Sequence, residues 1–384
     1  FPFFLREIWI SICRSTLNAN LPPAIRTARR RAASIMLPEW RLLEDGITEA
    51  RHHFAVEEAL ARLVDEGHTP PTLRLRQVQP AVFVGAYQDT WSELDVPYCQ
   101  ANGIQIVRRA NGGGAVYQEM GSFCYSAFFP RAMFSETDEE LYRRFAIPAI
   151  RTCADYSIDA HFQGRNDVLV GERKIYGSAQ LSWYSAFVQS GTFLVNMDIE
   201  KMARALTPPA IKFSGKPTCS IQERVTSLSR EVGRELETGE VMHRFADHVA
   251  EMLKVQLVPG SLTPAEEALG AKLLAVKYST DAWNFGTKRE YQIMVGDRSE
   301  DGVITLAANI QADLIKEARL NGDLLLADRQ VLEKLERSLS GITLAQAHNA
   351  IQAVTLTPCL EASLFRLLSK LTNEVTIINQ EKAR

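Results

Sequence analysis

The chain contains the run Arg108-Arg109-Ala110-Asn111-Gly112-Gly113-Gly114-Ala115-Val116-Tyr117, in which two arginines precede three consecutive glycines. Glycine has no Cβ and tolerates positive φ, so three in a row let the backbone approach a ligand closely. The arginines supply fixed positive charge that suits phosphate oxygens. The mostly apolar residues 104–107 predict a strand that fixes the start of this loop. The run therefore predicts a pocket for a phosphate-bearing ligand, with Lys174 as a candidate second cation.

A tight hairpin is predicted around Gly171, because glycine at the first central position suits a type II′ turn. If Val170 pairs with Arg173, then Asp167 and Lys174 lie diagonally on the same face of the two strands. The sequence therefore predicts an acid and a lysine side by side.

The glycine run does not match the common nucleotide-binding motifs. Tyr117 stands where GxGxxG requires its third glycine, and Gly215-Lys216 is followed by proline instead of the Ser or Thr of a Walker A loop. No histidine or cysteine spacing predicts a zinc site, and there is no GxSxG elbow. Three glycines alone are also typical of a flexible turn, and Lys174 alone of a solvated lysine. The strand and arginines before the glycines favour a ligand-binding loop.

Length and composition restrict the class of protein. A chain of 384 residues has room for two or three domains. The net charge of -3 argues against a protein that holds nucleic acid by bulk electrostatics. No segment has the run of about 18 apolar residues that a transmembrane helix needs. The six cysteines are scattered without a CxxC pair, which favours reduced thiols in a cytoplasmic protein over a disulfide framework.

Residues 1–36 are predicted to be a tail, disordered or not native, and are left out of the fold prediction. Residues 1–35 contain six arginines and one acidic residue, Glu7. Their apolar patch precedes the basic cluster, which is the wrong order for a secretory signal. Arginine-rich, acid-poor composition also permits an organelle transit peptide, so a mitochondrial location is the alternative to a cytoplasmic one.

The pattern after the tail predicts an α+β fold. Pro259-Gly260 and Thr263-Pro264 mark a boundary, followed by a helix near residues 266–277. Before the boundary, the predicted elements are strands at 40–43, 72–75 and 81–84, a turn at 44–46, a helix at 53–64, and a helix that starts with a capping-box-like pattern at 135–138 and runs towards Cys153, bent at Pro148. After it, they are strands at 290–295, 303–308 and 314–320 and helices at 331–339, 344–354 and 360–371.

Together, these stretches resemble the lipoate–protein ligase family. That family carries Arg-Arg-x-Ser-Gly-Gly-Gly-Ala-Val-aromatic-His-Asp, then Arg-Asn-Asp, Lys-Ile-Ser-Gly-Ser-Ala and Gly-Thr-Leu-Leu-x-Asn. The corresponding stretches here are Arg108–Glu119, Arg165-Asn166-Asp167, Lys174-Ile175-Tyr176-Gly177-Ser178-Ala179 and Gly191–Asn196, with Arg224–Leu228 as a further match. Residues 283–286 and 321–323 resemble the accessory C-terminal domain of the longer ligases. The likeness covers about residues 40–384, in the right order.

The resemblance implies the α+β fold shared by biotin and lipoate ligases, which is related to class II aminoacyl-tRNA synthetase cores. It implies a catalytic domain at 37–262, a linker at 263–286 and a smaller α+β accessory domain at 287–384. In the implied reaction, lipoate and ATP give lipoyl-AMP and pyrophosphate. The lipoyl group then passes to a lysine of a lipoyl domain, such as that of a 2-oxoacid dehydrogenase complex or the glycine-cleavage H protein. ATP and Mg²⁺ are implied as substrate and activator, with no tightly bound prosthetic group, nucleic acid or membrane partner.

The resemblance also implies roles for individual residues. Lys174 would neutralise charge on the phosphate and bind the lipoyl carbonyl, a preorganised electrostatic role. Arg109 would hold a phosphate, and Asn166 and Asp167 would contact the nucleotide, with Asp167 as a candidate Mg²⁺ ligand. The residues expected to bind ATP and the lipoyl-adenylate are Arg109, Asn111, Gly112, Gly113, Gly114, Ala115, Val116, Tyr117, Asn166, Asp167, Lys174, Ser178, Ala179 and Thr192.

Four positions depart from the family pattern. His53 stands where asparagine usually precedes the first helix, and Tyr176 replaces a small serine beside Lys174. Gln118-Glu119 replaces His-Asp, and Gln189-Ser190 replaces a pair that contains histidine. These changes leave open the acyl-chain preference, lipoate or octanoate, and the acceptor domain.

Two other functions stay open from the sequence. Octanoyltransferases of the same superfamily pass an acyl group through a cysteine thioester without ATP, and Cys219 lies near where one such class places its nucleophile. A noncatalytic protein that binds lipoyl groups or nucleotides is the second alternative. Biotin ligation is disfavoured because the arginine–glycine run has the lipoate pattern.

Overall fold

The structure, a computed structural model, describes residues 37–208, 211, 220–299, 302–324 and 329–382. The predicted tail and Cys219 lie outside these residues. The strands are β1 (Glu39–Thr48), β2 (Thr72–Val78), β3 (Ala81–Val84), β4 (Gln105–Arg108), β5 (Val116–Gln118), β6 (Ser122–Pro130), β7 (His161–Gln163), β8 (Asp167–Val170), β9 (Arg173–Trp183), β10 (Ala186–Leu194), β11 (Gln256–Pro259), β12 (Ile293–Ser299), β13 (Gly302–Gln311), β14 (Leu314–Gly322) and β15 (Ile342–Thr343).

The helices lie between groups of these strands and after the last of them. They are α1 (Ala50–Asp65), α2 (Thr90–Glu93), α3 (Val96–Ala101), α4 (Asp138–Asp155), α5 (Ile199–Ala205), α6 (Ile221–Arg224), α7 (Leu228–Val232), α8 (Thr238–Leu253), α9 (Pro264–Leu273), α10 (Asp281–Asn284), α11 (Arg329–Leu339), α12 (Leu344–Gln352) and α13 (Pro358–Lys382).

The largest sheet has the strand order β11-β1-β2-β6-β10-β9-β8-β7. Side chains alternate along each strand, so one face carries the main apolar core and the other a different set of residues. In β6, Phe123 and Tyr125 lie in the main core, where Phe245 of α8 and Phe145 of α4 cover them. Cys124 between them points to the opposite face, which packs against α1 and the small sheet β4-β3-β5. The functional cavity lies on this second face.

A second α+β unit follows, with the sheet order β12-β13-β14-β15 and helices α11, α12 and α13. It has an apolar core of its own, which includes Ile304, Leu335 and Leu367. Two backbone hydrogen bonds join it to the first unit: the Gly322 N–H donates to the Tyr87 carbonyl at 2.9 Å, and the Gly113 N–H to the Leu324 carbonyl at 3.0 Å. The second unit thus contacts the glycine loop directly.

Most of the stretch between the two units is helical and packs on α1. The Glu266 carboxylate of α9 accepts two hydrogen bonds from Arg41, at 2.9 and 2.7 Å. Further along, the Lys277 ammonium and the Tyr278 hydroxyl donate to Glu58 of α1, at 2.6 and 2.7 Å. These polar contacts hold the stretch against the same side of the first unit as α1.

Two local predictions at the start of the fold are wrong. The predicted turn at 44–46 is a β-bulge inside one ten-residue strand, whose register shifts between Glu44 and Ile47. Gly46 has a φ of +65°, which glycine tolerates and which the bulge needs. The helix starting near 135–138 does have a capping box, but Thr137 and Glu140 form it. The structure thus moves the N-cap two residues from the predicted Ser135.

The described residues include no helix that is long and apolar enough to cross a membrane.

Candidate functional site

A cavity of about 450 Å³ lies between the large sheet, the glycine loop and α1. Thirteen of the fourteen predicted binding residues line it, the exception being Gly112. The glycine loop and the β8–β9 hairpin, about sixty residues apart in sequence, therefore meet at one cavity.

The floor of the cavity is a row of directly paired residues on neighbouring strands. Arg76 of β2 pairs with Cys124 of β6, and Cys124 pairs with Thr192 of β10. Thr192 pairs with Gly177 of β9, and Gly177 with Asp167 of β8. Directly paired residues point to the same face of a sheet, so these five residues form one row across five strands. With strands about 4.8 Å apart, Arg76 lies roughly 14 Å from Gly177.

The hairpin end of the row holds the predicted acid–lysine pair. The pairing of Val170 with Arg173 is confirmed, and the φ of +56° at Gly171 agrees with a type II′ turn. The Lys174 ammonium lies 2.6 Å from an Asp167 carboxylate oxygen, with the two side chains 38% and 34% exposed. This end of the cavity is therefore open to solvent.

A β-bulge in β9 sets the position of Lys174. The register shifts between Val168 and Leu169, so Lys174 and Gly177 both face the cavity. A Cβ on Gly177 would lie 2.5 Å from the Lys174 Cε, so only glycine leaves room for the lysine to extend along the row. The same bulge places the Tyr176 ring in the main core, with its hydroxyl 2.7 Å from that of Tyr125. Tyr176 is therefore mainly a core residue, although it follows Lys174 closely in sequence.

The glycine loop is fixed by close backbone packing. Gly113 has a φ of +93°, and its carbonyl occupies the place that a Cβ would take on Gly85. The Arg109 guanidinium donates to the carbonyls of Phe83, Gly112 and Gly114, at 2.9, 2.8 and 2.8 Å. Arg109 lines the cavity, but in this arrangement its bonds hold the loop.

Arg108 does not contribute charge to the cavity. Its guanidinium donates to the carbonyls of Gly85 and Gln88 at 2.8 and 2.7 Å and to that of Trp283 at 3.0 Å. It is absent from the cavity wall, so the expectation that both arginines face phosphate is wrong for Arg108. The tertiary structure explains this difference, because these carbonyl acceptors come from the loop after β3 and from α10. For Arg109, burial lowers the pKa to about 10, well above neutral, so the guanidinium stays charged.

Asn166 and Thr192 complete the predicted set through hydrogen bonds. The Asn166 amide donates to the Ser178 carbonyl at 2.6 Å, and the Asn166 carbonyl accepts from the Ser178 N–H at 2.9 Å. Thr192 accepts from the Gln118 amide at 2.8 Å, and Gln118 in turn accepts from Ser122 at 2.7 Å. The glutamine that replaces the family's histidine therefore orients Thr192 on the cavity floor.

The other end of the row is closed and carries a polar cluster that the sequence analysis did not predict. We call His53, Glu57 and Arg76 the closed-end cluster; all three line the cavity, and His53 and Arg76 are 1% exposed. Arg76 Nε donates to His53 Nδ1 at 2.8 Å, and Nη2 donates to Glu57 at 2.6 Å and to Ser126 at 2.9 Å. Phe54 and Phe83 pack around the imidazole.

The charges of the closed-end cluster are balanced by neighbours. Arg74, on the same face of β2, donates to Asp45 at 2.6 Å and to the His53 carbonyl at 3.0 Å. Burial and the two nearby arginines hold the pKa of His53 well below its usual value, so the imidazole is neutral at pH 7. Burial also lowers the pKa of Arg76, although the Glu57 carboxylate opposes this shift. Together with Arg74 and Asp45, the closed-end cluster therefore has two cations, two anions and one neutral imidazole.

The second α+β unit contributes part of the cavity wall. Arg298, Ser299 and Gly302, at the β12–β13 connection, and Asp323, after β14, line the cavity. The Asp323 carboxylate accepts from the Val303 N–H at 2.5 Å and lies 3.9 Å from where a Cβ on Gly114 would be. An acid beside the glycine loop was missed, since it comes from some two hundred residues away.

One signal for the closed-end cluster was present in the sequence. Arg74 and Arg76 alternate with Leu73 and Leu75, which puts two charges on one face if the strand predicted at 72–75 continues by one residue. Such a face is normally solvent-exposed, and only the tertiary structure shows that α1 buries it. No cluster of three or more His, Cys, Asp or Glu that could hold a metal ion occurs among the described residues.

The sequence profile of the family described as lipoyl protein ligase A/B catalytic domain matches residues 49–250, which is more than half of the chain. The chain belongs to this family. Arg76, the glycine loop, Lys174 and Thr192 all lie inside the matched residues.

The chain is similar both to proteins named as ligases and to proteins named as octanoyltransferases. It is 27% identical over 281 residues to lipoate-protein ligase LplJ of Bacillus subtilis, covering 72% of this chain and 82% of LplJ. It is 31% identical over 272 residues to octanoyltransferase LipM of Kyrpidia tusciae, covering 64% of this chain and 98% of LipM. A solved structure of lipoate-protein ligase A bound with ATP superposes with a TM-score of 0.57 at 26% identity, covering 65% of this chain and 99% of that one.

Proposed function

We propose that this protein is an ATP-dependent lipoate–protein ligase. It would convert lipoate and ATP to lipoyl-AMP and pyrophosphate and then transfer the lipoyl group to a lysine of a lipoyl domain. The observation that supports this most is the position of Lys174, whose ammonium lies at the open end of a cavity that is closed at its other end. A reactive acyl carbonyl held there would be reachable by a second protein, while the acyl chain lay away from water.

In the first step, a lipoate carboxylate oxygen attacks the α-phosphorus of ATP. The bond from this phosphorus to the bridging oxygen breaks, and pyrophosphate leaves with the electron pair. Two anions approach each other in this step, so a fixed cation stabilises the transition state more than the separated reactants. Lys174 is the cation that we assign to this role. Mg²⁺ would arrive with the nucleotide and be held mostly by phosphate oxygens. Asp167 is our candidate for one protein ligand.

In the second step, the amine of an acceptor lysine attacks the acyl carbonyl of the mixed anhydride. The carbonyl–oxygen bond to AMP breaks, AMP leaves, and the amine loses a proton as the amide forms. No covalent enzyme intermediate is needed, so positioning and charge stabilisation would supply most of the catalysis. We assign the remaining predicted residues to binding. Arg109 holds the glycine loop and adds its positive charge there, residues 111–117 line the acyl and phosphate groups, and Asn166, Ser178, Ala179 and Thr192 contact the adenylate.

The contact between the second unit and the glycine loop has a consequence for the cycle. The Gly113 N–H that would bind a phosphate donates to the Leu324 carbonyl, and the Asp323 carboxylate lies beside Gly114. Since both acceptors would compete with a nucleotide phosphate, we propose that the accessory domain at 287–384 moves on the 263–286 linker during the cycle. Scattering profiles with and without a non-hydrolysable lipoyl-adenylate analogue test this motion, and identical profiles would count against it.

Lipoate-dependent exchange of pyrophosphate into ATP tests the adenylation step without an acceptor. Wild-type protein should catalyse it, and Lys174→Ala should reduce the rate by about 10²- to 10³-fold, the usual loss for one charge-stabilising donor. Lys334→Ala, on the exposed face of α11, is the matched control and should leave the rate unchanged. Exchange that survives in Lys174→Ala would refute the assigned role.

The similarity to LipM favours one alternative, an octanoyltransferase with a cysteine nucleophile. Among the described cysteines, only Cys124 lines the cavity, and burial raises the pKa of its thiol, which makes it a poor nucleophile. Cys219 lies outside the described residues and is the candidate nucleophile from the sequence. If the protein is a ligase, Cys219→Ala should keep its exchange activity.

The same assays separate the alternatives. Absence of exchange with lipoate or octanoate, together with octanoyl transfer from acyl carrier protein that Cys219→Ala abolishes, would replace the ligase by a transferase. Binding of acid or nucleotide without exchange or transfer would identify a noncatalytic paralogue.

A further inference from the structure

The closed end of the cavity offers hydrogen-bond donors where the far end of an acyl chain would lie. His53 and Arg76 line this end together with Phe54, Phe83 and Cys124, and each of the five is at most 5% exposed. A pocket shaped only for a methyl-terminated chain would need apolar atoms at this position, because a buried polar group without a partner costs free energy.

The hydrogen bonds of the cluster leave two donors over. Arg76 Nε donates to His53 Nδ1, so this nitrogen carries no hydrogen, and the neutral imidazole carries its hydrogen on Nε2. His53 Nε2 contacts Arg76 Nη2 at 3.2 Å, and this nitrogen is itself a donor. Arg76 uses Nη2 for Glu57 and Ser126 and one Nη1 hydrogen for the Arg74 carbonyl at 3.1 Å. Among the described residues, the His53 Nε2–H and the second Nη1–H have no acceptor in this set of bonds.

The length of the row fits an acyl chain that ends at these donors. Gly177, under the Lys174 side chain, lies three strand spacings, roughly 14 Å, from Arg76. An extended chain of eight carbons, with bonds of about 1.5 Å, spans roughly 9 Å. With its carboxylate at Lys174, such a chain would pass Thr192 and end near Cys124, two strand spacings (roughly 10 Å) from Gly177, at the closed end that the imidazole and the guanidinium line.

Another part of the cavity wall is less enclosed. Leu206, Ile221 and Val225 line it and are only half-buried, although Leu194 and Met202, which pack with them, are buried. A chain of methylene groups gains most where all water is excluded, because the gain is proportional to the apolar area removed from water. The closed end is therefore the better site for the chain.

We infer that His53 and Arg76 select the acyl substrate by its far end. They favour an acid whose far end carries heteroatoms that accept hydrogen bonds, such as the sulfurs of lipoate. An unsubstituted fatty acid of the same length is disfavoured. The inference rests on the proposed function, because that function identifies the cavity as the acyl site. Octanoate would displace water from both donors without accepting a hydrogen bond from either. A sulfur or oxygen atom would accept a hydrogen bond from at least one of them.

The wild-type protein allows the first test, with three acids of equal chain length: lipoate, 8-hydroxyoctanoate and octanoate. We expect kcat/KM in pyrophosphate exchange to be about ten- to hundredfold higher for each heteroatom-bearing acid than for octanoate, the range for leaving a buried donor without a partner. Equal kcat/KM values for the three acids would overturn the inference.

The double variant Arg76→Met/Glu57→Gln tests the residues. It removes the paired charges together and keeps the side-chain lengths similar, so no lone buried charge remains. We expect the preference over octanoate to fall by about tenfold, because octanoate no longer leaves an Arg76 donor unpaired, while the His53 Nε2–H remains. The matched control, Arg41→Met/Glu266→Gln, removes another buried arginine–glutamate pair, which does not line the cavity. It should keep the wild-type preference.

Calorimetric binding of the three acids without ATP separates this inference from the proposed function. If lipoate and 8-hydroxyoctanoate bind more tightly than octanoate but no exchange occurs, the ligase proposal is refuted and the inference about selection is supported. If every acid supports exchange at the same rate, the ligase proposal is supported and the inference is refuted. An unchanged preference in a folded Arg76→Met/Glu57→Gln protein would show that other residues select the acid.

Discussion

The two ends of the row from Arg76 to Asp167 hold opposite kinds of ionic site. At the hairpin end, Lys174 and Asp167 come from adjacent strands and are more than one third exposed. At the closed end, Arg76 is 1% exposed, and its partners come from α1, β2 and β6. The comparison shows that one cavity can hold one charged side chain at an exposed position, where it can contact a substrate, and a second charged side chain at a buried position, where its partners fix it. Water screens the first and is excluded from the second.

This difference separates stability from activity. An exposed ion pair contributes little to folding, because solvent screens it and its side chains lose entropy. A buried pair is costly to break, because removal of one partner leaves the other charge without water. Substitutions at the two ends should therefore affect different measurements.

Arg76→Met alone should have the largest effect on folding. It leaves the Glu57 carboxylate, 12% exposed, with Arg74 at 3.9 Å as its remaining cation. We expect a loss of about 3–5 kcal/mol in the free energy of unfolding, measured by urea denaturation. Arg151→Met, which breaks an exposed pair with Glu251, is the control and should cost less than about 1 kcal/mol. A loss for Arg76→Met as small as that of the control would remove the distinction between the two ends.

Two glycines on neighbouring strands sharpen the same comparison. A Cβ on Gly191 would lie 2.5 Å from Tyr125 Cε1 and 2.9 Å from Tyr176 Cε2, both in buried rings. Gly191→Ala should therefore cost about 1–3 kcal/mol of stability by overpacking. A Cβ on Gly177 meets the flexible end of Lys174, so Gly177→Ala should lower pyrophosphate exchange while the urea midpoint changes little.

Exchange and unfolding are measured on the same preparations. Equal losses of stability in the two variants would mean that Lys174 is held as rigidly as the tyrosines.

As the pH falls, the contacts around α1 should weaken before those of the β8–β9 hairpin. Burial alone would raise the pKa of Glu58, but the hydrogen bond and charge of Lys277, with Tyr278, lower it overall. For Glu266 too, burial is outweighed, chiefly by the hydrogen bond from Arg41, and the pKa is lowered. A lowered folded-state pKa gives stability that is present above the usual value of 4.5 and is lost as pH falls through the folded value.

Hydrogen exchange at decreasing pH tests this order, with amides of α1 and α9 losing protection before those of β8 and β9. In Glu58→Gln/Glu266→Gln the pH dependence of α1 should flatten. If α1 in this variant kept the wild-type pH dependence, other groups would be responsible.

Asp167→Asn should have the smallest effect on stability. The pair with Lys174 is exposed enough for solvent to screen it, so the free energy of unfolding should change by less than about 1 kcal/mol. If Asp167 is a Mg²⁺ ligand, the same variant should need more Mg²⁺ for half-maximal exchange, while its KM for lipoate stays unchanged. Loss of stability beyond about 1 kcal/mol would indicate that this end also has a structural role.

The sequence by itself determined the features that depend on neighbours along the chain. The hairpin and its Gly171 turn follow from local turn chemistry, and the order of strands and helices follows from hydrophobic periodicity and capping residues. Motif order was enough to indicate the family. The bulge at Glu44–Ile47 was read as a turn, since a glycine with positive φ suits either structure.

Only the tertiary structure decided which polar groups face the cavity and what each one bonds. Arg108 and Arg109 are adjacent in sequence, yet one holds a neighbouring loop and the other the glycine loop. Arg76 is buried beside His53 and Glu57, and Asp323 lies beside Gly114, through contacts between distant parts of the chain. Burial and hydrogen-bond partners depend on these long-range contacts, which no local pattern encodes.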